Sequence, residues 1–172
     1  TYNPVKTCAF VFARGGSKGI PGKNLQSFAG KPLLAWSIEL AQAISEINRV
    51  FVSTEDSYIA EVARDLGAEV IDRPPELAGD DSPEWLSWRH AVQTLNEQHI
   101  NFDRFVSLPT TSPLRTTEDI LKCLRTFNNN TDIVVTMTET SRSPWFNMVK
   151  IEKDEIVHLL FDGSQTRRQD GP

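Results

Sequence analysis

Cys8-Ala9-Phe10-Val11-Phe12-Ala13, followed at once by Arg14-Gly15-Gly16, is the stretch on which the fold turns. Six consecutive apolar residues cannot alternate between core and solvent, so the run reads as a strand buried on both faces, and the glycines after it read as a turn. Strands of that kind belong to parallel sheets covered by helices. Downstream the partners recur in strict alternation. Pro32 suits a first helical position, with Leu33, Leu34, Leu40, Ala41 and Ile44 on one stripe. Val50-Phe51-Val52 is a second strand, after which Asp56 can cap a helix facing inward through Ile59, Val62 and Leu66 and ended by Gly67. Val70-Ile71 is a third strand, and Ser82-Pro83 opens a helix with Trp85, Trp88, Val92 and Leu95 on its apolar side. Phe105 to Leu108 is a fourth strand. Thr116 and Asp119 have capping-box spacing before Ile120, Leu124 and Phe127, and Ile133-Val134-Val135 reads as a fifth strand. The expected fold class is therefore α/β, a Rossmann-like, mostly parallel sheet with helices on both faces and ligands at the carboxyl ends of the strands. After Glu139 the helical period is lost, and Trp145 to Ile151 with Ile156 to Phe161 reads as a hairpin-like excursion, within 140–165.

Composition agrees with one globular domain over 1–172. Of the 172 residues 39% are hydrophobic and 24% charged, a mixture that buries roughly 70% of the unfolded surface. No apolar run approaches the roughly 18 to 20 residues that cross a bilayer, and Thr1 to Lys6 lacks the apolar core of a secretory signal. Cys8 and Cys123 make neither a disulfide framework nor a metal-site spacing, which fits a reducing, cytoplasmic compartment. The run Gln169-Asp170-Gly171-Pro172 carries no stop signal, so the domain is expected to be incomplete at its C-terminus. A net charge of −5 argues against binding nucleic acid through a broad basic surface. The distribution is more telling than the total: Lys6, Arg14, Lys18, Lys23 and Lys31 precede the first acidic residue, Glu39. One small segment is arranged for an anion.

Its centre is Arg14-Gly-Gly-Ser-Lys-Gly-Ile-Pro-Gly-Lys-Asn24, directly after the first strand. A P-loop requires a glycine where Ser17 stands and Ser or Thr where Asn24 stands. A dinucleotide fingerprint requires Gly-x-Gly-x-x-Gly opening a helix, whereas Gly16, Gly19 and Gly22 are spaced three apart and Pro21 interrupts them. Both readings fail. What remains is a loop whose glycines let N–H groups approach an anion while Arg14, Lys18 and Lys23 bracket a polyphosphate. The plain alternative is a surface loop with solubilising lysines.

Five stretches, in order, carry a resemblance: A-R-G-G-S-K-G-I-P-G-K-N (13–24), V-S-T-E-D (52–56), R-P-P-E-L-A-G-D-D-S (73–82), T-S-P-L-R (111–115) and R-R-Q-D (167–170). The chain resembles the acylneuraminate cytidylyltransferases, or CMP-sialic acid synthetases, over residues 8–172. Relatives acting on legionaminic or pseudaminic acid share most of these motifs, whereas the CMP-Kdo synthetases read more like S-T-R-L-P-x-K in the loop.

The resemblance implies a fold of nucleotide-diphospho-sugar transferase type and a reaction in which a nine-carbon sugar acid attacks the α-phosphate of CTP, releasing pyrophosphate. It implies that Arg14, Gly15, Gly16, Ser17, Lys23 and Asn24 hold the triphosphate, with Lys23 facing the α-phosphate as the cation that stabilises growing charge. Arg73 and Ser82 would contact the cytidine, and Arg168 with Arg167 would meet the sugar carboxylate through a guanidinium fork. Lys23, Arg14 and Arg168 are the catalytic candidates. The residues outside the loop have plain alternatives: a surface ion pair for Arg73, a helix N-cap for Ser82, and a flexible tail for Arg167 and Arg168. Arg115 supports its loop or pairs with Glu118. Where many relatives read Gln-Pro-Thr-Ser-Pro this chain reads Pro109-Thr110-Thr111-Ser112-Pro113, and Glu84 stands where several have serine. The family also implies Mg2+, held by the triphosphate and by aspartates beyond Pro172, so no metal ligand is identifiable in this chain. A homodimer or homotetramer, with the 140–165 excursion used in dimerisation, is expected. A nucleotidyltransferase using Kdo or another nucleotide, and a non-catalytic nucleotide-binding module, stay open as other readings.

Overall fold

The computed structural model describes residues 5–137, 148–151 and 157–159. Thr7–Phe12 forms strand β1, and its burial on both faces is complete from Thr7 to Val11. A short antiparallel pair, Ser27–Phe28 (β2) with Lys31–Pro32 (β3), follows the glycine loop, and parallel partners flank β1 on either side. Arg49–Thr54 (β4) pairs with it in the register Phe10 to Phe51, and Arg104–Ser107 (β6) pairs in the register Cys8 to Phe105. Glu69–Asp72 (β5) lies outside β4, giving the order β5-β4-β1-β6. The chain thus walks outward from β1 through β4 to β5 and then returns to the far side of β1. That reversal is the switch point at which open α/β sheets bind ligands.

Strand alternation divides the core in two. Ala9, Val11, Val50 and Val52 face one way and pack with Leu34, Ile38 and Ala41 of α1 (Leu33–Gln42), Ile59 and Ala63 of α2 (Ser57–Asp65) and Ile120 of α4 (Thr117–Thr126). Cys8, Phe10, Phe51 and Ile71 face the other way, against Ala91 and Leu95 of α3 (Glu84–Glu97). This second layer is aromatic, with Phe10 lying 4.2 Å from Phe105 and 5.4 Å from Phe51 between ring centroids. The expected α/β class, with helices on both faces of a parallel sheet, is the observed one.

Helix ends follow residue chemistry. Asp56 accepts the N–H groups of Tyr58 and Ile59 at 2.9 and 3.0 Å and so caps α2. Gly67 closes it at φ +78, with Gly67 N–H donating to Arg64 O and Ala68 N–H to Ala63 O, a Schellman ending. Thr116 N–H donates to Asp119 Oδ2 at 2.8 Å and Asp119 N–H returns to Thr116 Oγ1 at 3.3 Å, which makes the capping box of α4.

Three features differ from expectation. Ser82 does not cap α3: the cap position is Pro83, without a side-chain bond. The buried stripe of α3 is Ser87, Ala91 and Leu95, while Trp85 is 49% exposed. Small residues let the helix approach the aromatic layer, and Trp85, Trp88 and Val92 instead line an open groove of about 460 Å³ beside Phe105. Ile133-Val134-Val135, the expected fifth strand, makes no strand pairing among the described residues; Ile133 and Val135 are 71% and 64% exposed. A strand exists only through a ladder partner, and an apolar run alone does not supply one.

The sequence reads as one domain, and the structure divides the chain into two compact units, 1–126 and 127–172. In the second, Val149–Ile151 (β7) and Val157–Leu159 (β8) pair antiparallel; the rest of the 140–165 excursion, apart from Met148, lies outside the described residues. Among the described residues no helix is long and apolar enough to cross a membrane.

Candidate functional site

Four connections meet at the carboxyl ends of the strands: the glycine loop after β1, Glu55-Asp56 after β4, Arg73 after β5 and residues 108–115 after β6. The loop is tied down at its first glycine. Gly15 N–H donates to Glu55 Oε1 at 2.8 Å, and its Cα lies so close to α2 that an added Cβ would stand 2.3 Å from Asp56 Oδ2. Any larger residue there must displace the Asp56 side chain. At Gly16 and Gly19 an added Cβ would meet nothing within 4 Å, so the backbone of this part of the loop faces open space.

The far end of the loop is equally anchored. Gly22, at φ +61, starts the short 3₁₀ turn Lys23–Leu25. Asn24, 4% exposed, donates Nδ2 to Arg14 O at 3.0 Å and accepts Thr110 Oγ1 on Oδ1 at 2.8 Å. Its amide thus ties both ends of the loop to the connection after β6. Ser17 and Lys23 are half-buried between these anchors. Among the described ion pairs none involves Lys23.

Arg14 and Lys18 already hold an anion of the chain's own. Asp80 lies 2.9 Å from Arg14 Nη1 and 2.6 Å from Lys18 Nζ, and Arg14 also donates to Ala78 O at 3.2 Å. Hydrogen bonding from Lys18, joined by Arg14, holds the Asp80 carboxyl below the usual carboxylate range. Two cations gathered on one exposed carboxylate are an arrangement that a phosphate group can take over.

Arg73 is neither free nor a surface ion pair. At 7% exposure its Nη2 meets Glu55 Oε2 at 2.8 Å and its Nη1 meets Ser87 Oγ at 3.4 Å, while Nε is buried without a partner. Ser82 Oγ is likewise buried with no partner. Buried donors without acceptors call for an explanation, and a ligand in the crevice is one. Arg115 supports its loop: Nη2 donates to Pro109 O at 3.1 Å, while Glu118 pairs with Arg125. Burial pushes the Arg115 guanidinium below its ordinary range.

The structure therefore brings Arg14, Gly15, Gly16, Ser17, Lys23, Asn24, Arg73 and Ser82 to one end of the sheet. Arg167 and Arg168 lie outside the described residues. Glu55, Asp80, Ser87 and Thr110 had no role assigned from the sequence, although Glu55 stands in V-S-T-E-D directly behind a strand, which was the available signal. The acidic residues described here do not by themselves make a metal site. Glu55 and Asp80 are spent on protein cations, Asp56 on helix N–H groups, and among the described residues no group of three ligating side chains exists.

A doubly wound α/β domain with an anchored, cation-bearing glycine loop at its switch point defines a class suited to a nucleotide. Comparison with known proteins narrows it: the chain belongs to the cytidylyltransferase family, which it matches over residues 8–170. It is 32% identical over 165 residues to post-translational flagellin modification protein B of Campylobacter coli, covering 94% of this chain and 70% of that protein. It is 41% identical over 105 residues to N-acylneuraminate cytidylyltransferase A of Danio rerio, covering 61% of this chain but 24% of that one. Among solved structures, CMP:2-keto-3-deoxy-manno-octonic acid synthetase complexed with CTP superposes with a TM-score of 0.59 at 22% identity, over 70% of this chain and 46% of that one. That likeness is one of fold.

Proposed function

We propose that this chain is the nucleotide-binding part of a cytidylyltransferase that activates a sialic acid-type nine-carbon sugar acid with CTP. The anomeric hydroxyl attacks the α-phosphorus in line, the bond to the β-phosphate oxygen breaks, pyrophosphate leaves and the hydroxyl proton is lost. The single observation that carries the reading is the anchored glycine loop at the switch point, with Lys23 beside open backbone and outside every described ion pair.

In this reading Lys23 faces the α-phosphate, where a fixed cation stabilises charge growing on the equatorial oxygens. Arg14, released from Asp80, joins Ser17, the N–H of Gly16 and the other loop groups on the triphosphate. Gly15 and Asn24 act through the loop they hold. Arg73 and Ser82 offer their unpartnered donors to the cytidine, and Arg168 with Arg167 receives the sugar carboxylate. Mg2+ enters as the companion of the triphosphate, the assembly is a homodimer or homotetramer, and the compartment is cytoplasmic.

The 32% identity to a flagellin modification protein favours a second reading of the acceptor alone: a related acid such as legionaminic or pseudaminic acid, destined for protein modification. Thermal protection tests the nucleotide in the full-length protein. A ligand at 100 times its Kd stabilises by ~2.7 kcal/mol, about 5 to 10 °C in Tm for a domain of roughly 150 to 250 residues. CTP is expected to give that shift and ATP, GTP and UTP little of it; equal protection by all four overturns the assignment of cytidine. Pyrophosphate release with each sugar acid in turn then identifies the acceptor.

A further inference from the structure

Glu55 performs two tasks with one carboxylate. Oε1 takes the N–H of Gly15, the first glycine of the phosphate loop, and Oε2 takes Nη2 of Arg73, each at 2.8 Å. Both contacts are withdrawn from water: the side chains of Glu55 and Arg73 are 17% and 5% exposed. Gly15 and Arg73 sit behind different strands, β1 and β5, with β4 between them. Glu55, at the end of that middle strand, spans the gap.

We infer that Glu55 is a positioning residue of the nucleotide site, one that fixes the distance and orientation between the triphosphate loop and the guanidinium assigned to the base. The inference rests on the proposed CTP reading and adds what that reading leaves open: how two subsites on separate strand ends are held in register for one ligand. Arg73 has no other carboxylate among its described partners, since Nη1 reaches only a hydroxyl, Ser87 Oγ. Nε is buried and unpartnered, and its aim is set by the pair that Nη2 makes. A guanidinium is a rigid plane, so fixing one nitrogen fixes the others.

A bridge has a different signature from an ion pair that merely holds the fold. Aspartate keeps the charge but is one methylene shorter, so it can pair with Arg73 or reach Gly15 N–H, not both. Glutamine keeps the length but loses the charge, and its NH2 turns a donor toward a donor. The experiment compares wild type, Glu55→Asp and Glu55→Gln in the full-length protein, measuring Tm and the affinities for CTP, for inorganic tripolyphosphate and for cytidine. The expected result for Glu55→Asp is a protein that still unfolds cooperatively with Tm lowered by about 3 to 12 °C, the loss of one charge-assisted bond, tripolyphosphate and cytidine affinities each within about threefold, and CTP affinity reduced by about tenfold or more, because the benefit of holding two linked parts at once is lost.

Glu55→Gln is expected to lose CTP affinity to at least the same degree. CTP and tripolyphosphate falling together would make Glu55 a support of the phosphate loop alone and overturn the bridge. Unchanged CTP affinity in Glu55→Asp would reduce it to a structural ion pair. Wild-type protein that binds CTP no better than ATP would instead sink the cytidylyltransferase reading, and the inference with it, so the two failures are told apart by the wild-type arm.

Discussion

Replacing Gly15 with alanine tests the anchoring of the loop by stability alone. The added Cβ would stand 2.3 Å from Asp56 Oδ2 and 3.1 Å from both Asp56 Cβ and Cγ. Something must move, and there are two ways to yield. Withdrawing the loop breaks the Gly15 N–H bond to the Glu55 carboxylate, a charge-assisted bond worth ~1.5 to 3 kcal/mol. Swinging Asp56 away removes the cap on Tyr58 and Ile59 N–H, worth about 1 kcal/mol. The cap is the cheaper loss. Alanine also restricts the unfolded chain, which returns about 0.4 to 1 kcal/mol. Gly15→Ala should therefore destabilise by ~0.5 to 1.5 kcal/mol once the residual crowding is included. Asp56→Ala alone should cost ~1 kcal/mol. In the Asp56→Ala background the carboxylate is gone and the cap already lost, so adding Gly15→Ala should be nearly neutral. The coupling, about 1 kcal/mol, stands outside the ~0.3 to 0.5 kcal/mol scatter of independent sites. Urea unfolding reads it directly: with m near ~2 kcal/mol/M, 1 kcal/mol is about 0.5 M in midpoint. If Gly15→Ala costs the same in both backgrounds, the loop is not seated against the α2 cap and the argument fails.

Two further outcomes are expected. Lys23→Ala should leave Tm nearly unchanged, since the side chain is half-buried and outside the described ion pairs, while lowering kcat by a factor worth ~3 to 4 kcal/mol; steady-state kinetics at saturating CTP check it, and a kcat within threefold of wild type removes Lys23 from the mechanism. Asp80 carries a carboxyl held low by Lys18 and Arg14, so its stabilisation is present above the unfolded carboxylate pKa of about 3.9 and disappears as pH falls through the lower folded value. The stability difference between wild type and Asp80→Asn should therefore shrink below about pH 4, and the same variant, with Arg14 and Lys18 freed, should bind tripolyphosphate up to about fivefold more tightly at low salt; weaker binding would show that Asp80 organises the cations for phosphate instead of competing with it.

What the sequence discloses and what it withholds divide along the distance over which each signal acts. The strand Thr7–Phe12, the Asp56 cap and the Thr116–Asp119 box are legible because their cause lies within a few residues: an unbroken apolar run, or an oxygen placed three positions before an orphan N–H. The hairpin Ser27–Phe28 with Lys31–Pro32 (β2 and β3) is as local, but two-residue strands have no period to detect, and its turn places Ala29 at φ 49 where Asn or Gly is the usual signal. The inward face of α3 is hidden for another reason. Tryptophan at helical spacing outweighs Ser87 and Ala91 in any count of apolar residues, yet the sheet side is already filled by Phe10, Phe51 and Phe105, and only small residues can close on it. The site shows the same limit most sharply. That Lys and Arg flank glycines after a strand is readable, and it marks an anion site. Which acid answers which cation is not, because Glu55 meets partners 40 and 18 residues away and Thr110 meets Asn24 across 86. Those pairings exist only once strands β1, β4, β5 and β6 stand side by side. The sheet order, fixed by apolar burial that owes nothing to the ligand, is thus what assigns the polar partners of the site, and a substitution that slips the register of β4 would unpair Arg73 and release Gly15 together.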